Sequence, residues 1–291
     1  MKTITIKKAI LALTIFTSVN TLAQKLYVDV NIGYAMAIGG GIDLQSASTT
    51  SYNNQQTNER TQTTTYSSVN SSLGKGFNFG GSIGYLLNKN IGFELGLNYL
   101  LGAPVESEKK TYNTSVNSLG ETTIRSSNFT YKTYSNMFQI VPTIVLSPGF
   151  KKINPYTKIS FLMGFGTIFS EDEFRSNNFS SDFYNTEYSG GLGIGFSGSF
   201  GGAYTLNDKV SVFSEVRFMS FSYAPKKSVT TKYTRNGVDQ LPLMTTWYKE
   251  VAYLEEYTLN GTINYDEPRK KSKEYYSYNN IGLNFGVKYS F

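Results

Sequence analysis

The chain ends I-G-L-N-F-G-V-K-Y-S-F, residues 281–291. Ile281, Leu283, Phe285, Val287, Tyr289 and Phe291 are apolar or aromatic, and Gly282, Asn284, Gly286, Lys288 and Ser290 between them are small or polar. Side chains alternate across a strand, so this stretch is a β-strand with one greasy and one polar face. Its length is what a tilted strand needs to cross a bilayer. The greasy face ends in aromatics, as membrane-facing strands do where they meet water. Alternation alone fits a half-buried strand of a soluble sandwich equally well. The rest of the chain decides between them.

Seven more stretches alternate in the same way. The first, about Lys25 to Ile38, sets Val28, Val30, Ile32, Tyr34 and Met36 against Asp29, Asn31, Gly33 and Ala35. The second runs through Phe77, Phe79, Ile83, Tyr85 and Leu87, with Asn78, Gly80, Ser82 and Gly84 on its other face. Asn88-Lys89-Asn90 has the composition of a tight turn. It leads into a third strand with Phe93, Leu95, Leu97 and Tyr99 opposite Glu94, Gly96 and Asn98. The fourth lies within Phe129 to Leu146 and carries Pro142, which donates no ladder hydrogen bond, so a bulge or weak pairing is expected there. The fifth sets Ile159, Phe161, Met163, Phe165 and Phe169 against Lys158, Ser160, Gly164 and Gly166. The sixth sets Leu192, Ile194, Phe196, Phe200 and Tyr204 against Gly193, Gly195, Ser197, Ser199 and Ala203. The seventh sets Val210, Val212, Val216 and Phe218 against Ser211, Glu215 and Arg217.

The connections alternate between long and short. Polar tracts cover about 39–72, 103–127, 170–189 and 222–273, while the other links are short turns. Long external loops and short periplasmic turns are the pattern of outer-membrane barrels. The fourth tract holds two Asn-Gly pairs, Asn236-Gly237 and Asn260-Gly261, which are hairpin signals.

Residues 1–23 read as a secretory signal. Lys2, Lys7 and Lys8 precede a short apolar run from Ala9 to Val19, and Thr21-Leu22-Ala23 is a cleavage site. Removing it lowers the formal net charge from +6 to +3, so the basic balance is no sign of nucleic-acid binding. Residues 24–291 are expected to form one barrel domain. The chain has no cysteine and no histidine. An exported chain without disulfides needs another source of rigidity, and a closed barrel with no free edge provides one. Without histidine the commonest general base and metal ligand are missing, which argues against an enzyme and leaves no cofactor to expect.

The signal, the eight alternating strands, the loop asymmetry and the terminal G-V-K-Y-S-F together resemble the small eight-stranded outer-membrane barrels of Gram-negative bacteria, the OmpX and OmpA transmembrane-domain type. The resemblance covers about Gln24 to Phe291. It implies an all-β, antiparallel, up-and-down transmembrane β-barrel in the cell outer membrane. It also implies that Phe291 and Tyr289 form the signal read by the outer-membrane insertion machinery. No periplasmic domain is expected after the barrel, so anchoring to peptidoglycan is not implied.

The polar faces place Asp29, Glu94, Lys158, Glu215, Arg217 and Lys288 in the lumen, three acids and three bases. A barrel of eight strands is only just wide enough to be filled by its own side chains, and buried charges must pair. A salt-bridge network that plugs the lumen is the first expectation and a narrow ion path the second. Tyr34, Tyr85, Tyr99, Tyr204, Phe218 and Tyr289 are expected to form aromatic girdles in contact with outer-membrane lipid or lipopolysaccharide. The acidic run Ser170-Glu171-Asp172-Glu173 has the oxygens for Ca²⁺ or Mg²⁺ but lacks the ligand spacing of a calcium loop. The basic run Arg269-Lys270-Lys271-Ser272-Lys273 suits either anionic head groups or a solvated loop.

The function expected is non-enzymatic: a structural or surface-interaction role in which the long loops contact an unknown extracellular ligand. A small porin or transporter for ions or small solutes is the alternative. A soluble secreted barrel that binds its ligand inside is the third reading and requires the apolar faces to point inward.

Overall fold

The computed structural model describes residues 26–39, 45–69, 72–177, 180–258 and 263–291. The signal segment and Asn260-Gly261 lie outside the described residues. Eight strands form a closed ring: β1 (Leu26–Ala37), β2 (Gly76–Leu86), β3 (Ile91–Gly102), β4 (Thr122–Leu146), β5 (Ile153–Ser176), β6 (Leu192–Thr205), β7 (Val210–Ala224) and β8 (Asn280–Ser290). Each pairs antiparallel with the next. The ring closes between β1 and β8, from Tyr27↔Ser290 to Ala37↔Asn280. Closure leaves none of the eight with a free edge over the ring, which an open sheet cannot achieve.

The faces follow the alternation. Val30, Ile32, Leu95, Leu97, Phe196 and Phe200 point outward and are each half or more exposed. Asp29, Asn78, Glu94, Lys158, Ser197, Ser199 and Glu215 point inward and are buried. Two of the short turns share one device. The Asn88 side-chain oxygen accepts the backbone N–H groups of Asn90 (2.8 Å) and Ile91 (2.9 Å). Asn207 does the same for Lys209 and Val210, both at 2.9 Å. Such side-chain-closed turns explain why Asn sits there. Pro142 has the expected effect on β4. It stays opposite Leu95 of β3, but between Ile140↔Met163 and Thr143↔Ser160 the pairing with β5 lapses. The register is kept, so this is a gap in the ladder and not a bulge.

The polar tracts differ from expectation. β4 begins at Thr122 rather than Phe129, and β5 continues to Ser176 rather than ending near Phe169. With Val105–Val116, Ser181–Ser189 and Lys227–Arg235 they build an upper sheet beyond the ring. Gln45–Asn54 joins it parallel to Val105–Val116, and Glu59–Ser68 forms one outer edge. Glu250–Leu254 and Arg269–Ser272 form the other. At the hairpin tip Asn236 (φ 50°) and Gly237 (φ 79°) take the left-handed conformations of a two-residue turn. Around the second Asn-Gly pair the described residues 257–258 and 263–264 carry no strand.

Candidate functional site

The ring interior has two layers. The layer nearer the chain termini is charged. Lys158 Nζ lies 2.9 Å from Glu94 Oε2 and 3.5 Å from Glu215 Oε2. Both carboxylates have further donors: Tyr27 OH donates to Glu94 Oε1 (2.7 Å), Tyr156 OH to Glu215 Oε2 (3.0 Å) and Asn284 Nδ2 to Glu215 Oε1 (3.3 Å). Asp29 accepts from Ser82 Oγ at 2.7 Å. Lys288, opposite Asp29 in register, lies over the Tyr27 ring at 4.1 Å. Arg217 is buried and its Nη1 is 3.1 Å from the Asn98 amide, whose oxygen accepts from it once the amide is turned to suit its neighbours. Lys158, Glu94 and Glu215 are thus brought into direct ionic contact. Among the described residues Asp29, Arg217 and Lys288 make no ion pair within 4.0 Å.

The sequence reading omitted Tyr27 and Tyr156, which cap the two glutamates. Each stands two residues before a predicted interior charge, Asp29 and Lys158, so the alternation would have found them.

The layer farther from the termini is apolar and was not anticipated. Leu100, Met137, Val141, Leu162, Met219, Phe221, Tyr223 and Tyr278 pack there as one buried cluster. Phe221 meets Tyr278 edge-on with ring centres 5.5 Å apart. Tyr223 OH donates to the Gly166 carbonyl at 2.8 Å. The interior glycines give these rings their place. A Cβ on Gly164 or Gly193 would collide with the Phe221 ring, and one on Gly84 with Tyr27. A cavity of about 40 Å³ remains beside Asp29, Glu94, Lys158, Glu215 and Arg217. It has room for a few water molecules.

On the outer surface the named aromatics fall into two tiers. Tyr34, Tyr99 and Phe218 lie toward the upper sheet, where Tyr34 is edge-on to Phe77 at 5.0 Å and Tyr99 stacks with Phe79 at 5.5 Å. Tyr85, Tyr204 and Tyr289 lie toward the short turns: Tyr85 pairs with Leu26, Tyr204 with Val212, and Tyr289 with Val210 and Val28. Tyr289 and Phe291 are edge-on at 5.3 Å, and Phe291 N donates to Leu26 O at 3.1 Å.

The acidic run is strand, not loop, so its side chains diverge. Glu171 lies on the outer face, 3.2 Å from Lys132. Glu173, on the same face, is 2.6 Å from Arg175. Asp172 points to the opposite face with Ser170, whose Oγ donates to it at 2.9 Å. Three carboxylates split between two faces cannot surround one ion. Adding millimolar Ca²⁺, or removing it with EDTA, is expected to leave the unfolding temperature unchanged; a rise of several degrees with Ca²⁺ would contradict this geometry. In the basic run, Lys271 pairs with Glu274 at 3.7 Å and Lys273 pairs with Glu255.

No protein-family model matches the chain, and no curated protein matches it. Among solved structures it is similar to Ail, the attachment invasion locus protein of Yersinia pestis, solved in complex with the heparin analogue sucrose octasulfate. Identity is 9% and the TM-score 0.28, over 92% of this chain and 99% of Ail. A structure described as asymmetric conductivity of engineered proteins aligns at 7% identity and a TM-score of 0.10, over 92% of this chain and 99% of that one. Likenesses of this degree carry no functional weight.

Proposed function

We propose that this chain is an eight-stranded up-and-down transmembrane β-barrel of an outer membrane, of the OmpX and OmpA transmembrane-domain type, and that it is a non-enzymatic surface-contact protein. One observation carries the reading: the closed ring is apolar outside and holds its buried charges inside. In water this arrangement would expose far more contiguous apolar surface than soluble monomers tolerate. In a bilayer the outer face meets acyl chains, and the strand backbones pair around the ring except at the Pro142 gap between β4 and β5. The three short turns and both ring termini lie at one end, which makes that end periplasmic and puts the upper sheet outside the cell. Lipids and lipopolysaccharide are then the partners of the aromatic tiers. The insertion machinery is the partner of Tyr289 and Phe291, so Phe291→Ala should lower the amount assembled in the outer membrane.

The upper sheet exceeds what ring closure needs, and surface segments of that size held on a rigid frame are where contact functions reside. The lumen, by contrast, is occupied by the Lys158–Glu94–Glu215 contact and the apolar layer around Phe221. The first test is ion conductance of residues 24–291 refolded into a planar bilayer. Insertion without conductance steps is the expected result; steady, reproducible steps would put the small-solute pore reading in its place. The second test replaces residues 45–68 and 227–273 with short turns. Insertion should survive and attachment to cells or matrix should be lost; undiminished attachment would overturn the surface-contact reading.

A further inference from the structure

The outer face of the ring is not evenly filled. On β6 the outward row is large at Phe196, Phe200 and Tyr204 but has no side chain at Gly202. The register partner of Gly202 on β7 is Ser214, the partner of Ser214 on β8 is Phe285, and Phe285 pairs with Ile32 of β1. Two small outward residues thus stand side by side. They floor a shallow groove walled by Tyr204, Phe285, Val287 and Ile32. Packing within the chain does not require the glycine. A Cβ on Gly202 would meet no atom within 4 Å, whereas Gly164 and Gly193 clear space for the Phe221 ring. Glycine weakens a strand interior, so this one keeps open a space that the barrel itself does not use.

The groove lies in the half of the ring nearer the short turns, next to the lower aromatic tier. Two lysines flank its mouth. Lys152 Nζ lies over the Tyr204 ring at 6.0 Å, and Lys209 Nζ over the Tyr289 ring at 5.9 Å. Their backbones are pinned to neighbouring strands: Thr205 N donates to Lys152 O at 3.0 Å, and Ser290 N to Lys209 O at 2.7 Å. The two therefore approach from opposite sides, about two strand spacings or ~10 Å apart. Both are exposed, and among the described residues neither has a carboxylate within 4.0 Å. The three turns, 87–90, 147–152 and 206–209, hold Lys89, Lys151, Lys152 and Lys209 against Asp208 alone.

An apolar groove that opens between two unpaired ammonium groups matches an amphiphile with an acyl chain and an anionic head. A second copy of this chain fits less well, because a two-fold contact along the membrane normal would set one lysine pair against the other. Lipopolysaccharide belongs to the outer leaflet, at the end of the ring that carries the upper sheet. We infer that the groove over Gly202 and Ser214 holds an acyl chain of an anionic phospholipid of the inner leaflet, with its phosphate between Lys152 and Lys209. The inference rests on the outer-membrane barrel reading above and goes beyond it by assigning one bound lipid to one site.

The test is native mass spectrometry of residues 24–291 refolded in a polyoxyethylene detergent, titrated with palmitoyl-oleoyl phosphatidylglycerol and with the phosphatidylcholine of the same chains. Phosphatidylglycerol should saturate one site and bind about fivefold or more tighter than phosphatidylcholine. Lys152→Gln with Lys209→Gln should reduce it to the phosphatidylcholine level, while Lys89→Gln, in another turn, should change it by no more than about twofold. Gly202→Leu fills the groove and leaves both lysines, and should weaken phosphatidylglycerol by about fivefold; the lysine variants serve if it does not refold. Equal binding of the two lipids by the parent chain would overturn the inference. So would a preference that survives the double lysine variant, one lost equally in Lys89→Gln, or one indifferent to Gly202→Leu. Insertion into lipid vesicles separates the two readings. A chain that inserts but shows no preference keeps the barrel reading and loses the lipid site; a chain that stays soluble without detergent loses both.

Discussion

Lys158→Met is expected to cost about 3–5 kcal/mol of unfolding free energy, the range for removing one partner from a buried ion pair. The size follows from what is left behind. Lys158 is the only cation within 4.0 Å of Glu94 and Glu215 among the described residues. Both carboxylates are buried and lie on opposite sides of a narrow interior. Methionine fills the lysine's volume but supplies no charge, so two anions face each other across a low-dielectric space. Tyr27, Tyr156 and Asn284 still donate to them, which limits the loss without cancelling it. Adding Glu94→Gln and Glu215→Gln to Lys158→Met should recover most of the stability, because neutral amides carry no repulsion and still hydrogen-bond. Urea unfolding of the refolded barrel, followed by circular dichroism, measures both variants. A loss below about 1 kcal/mol for the single variant, the level of an exposed pair, would mean that water already screens the two carboxylates.

The charged layer was legible because it follows the period of two. In β1, β3, β5 and β7 an apolar outer row fixes the phase, and any ionisable residue in the other row must point inward. The apolar layer was not legible for the same reason. Along β7 the outer row turns polar at Ser214, Ser220 and Ser222, while the inner row turns apolar at Phe213, Met219, Phe221 and Tyr223. Hydropathy alone assigns such a stretch to neither face. The available signal was steric: Gly164 and Gly193 are small where a large inward ring must pass. The upper sheet was legible only at the Asn236-Gly237 hairpin signal, and the rest of it was missed on different grounds. Beyond the ring both faces of a strand meet water, so 122–127 and 181–189 have no reason to alternate. Their threonines and tyrosines favour strands, but they were read by composition as loops. Tyr184 and Tyr233 fell inside those tracts, whereas Tyr131 lay in the expected fourth strand, and their common row emerged only from the pairing register.

The two interior layers act in series, and Phe221→Ala separates their roles. Phe221 is buried, and its ring fills the space above Gly164 and Gly193 and touches Tyr278. Truncating a buried phenylalanine costs about 3–5 kcal/mol, and neither glycine has a side chain that moves in to collapse the gap. The cavity created is lined by Leu162, Met137 and Met219, and apolar cavities of that kind stay dry. Below it the Lys158–Glu94–Glu215 contact is untouched and still occupies the lumen. Phe221→Ala is therefore expected to be much less stable yet as silent in a planar bilayer as the parent chain. Conductance should appear only when the cap and the charged layer are disrupted together, as in Phe221→Ala with Lys158→Met. Steps from the single variant would show that the aromatic cap is the whole barrier and that ions pass the charged layer unaided. The six charges would then line a conduction path beneath a lid instead of forming a plug.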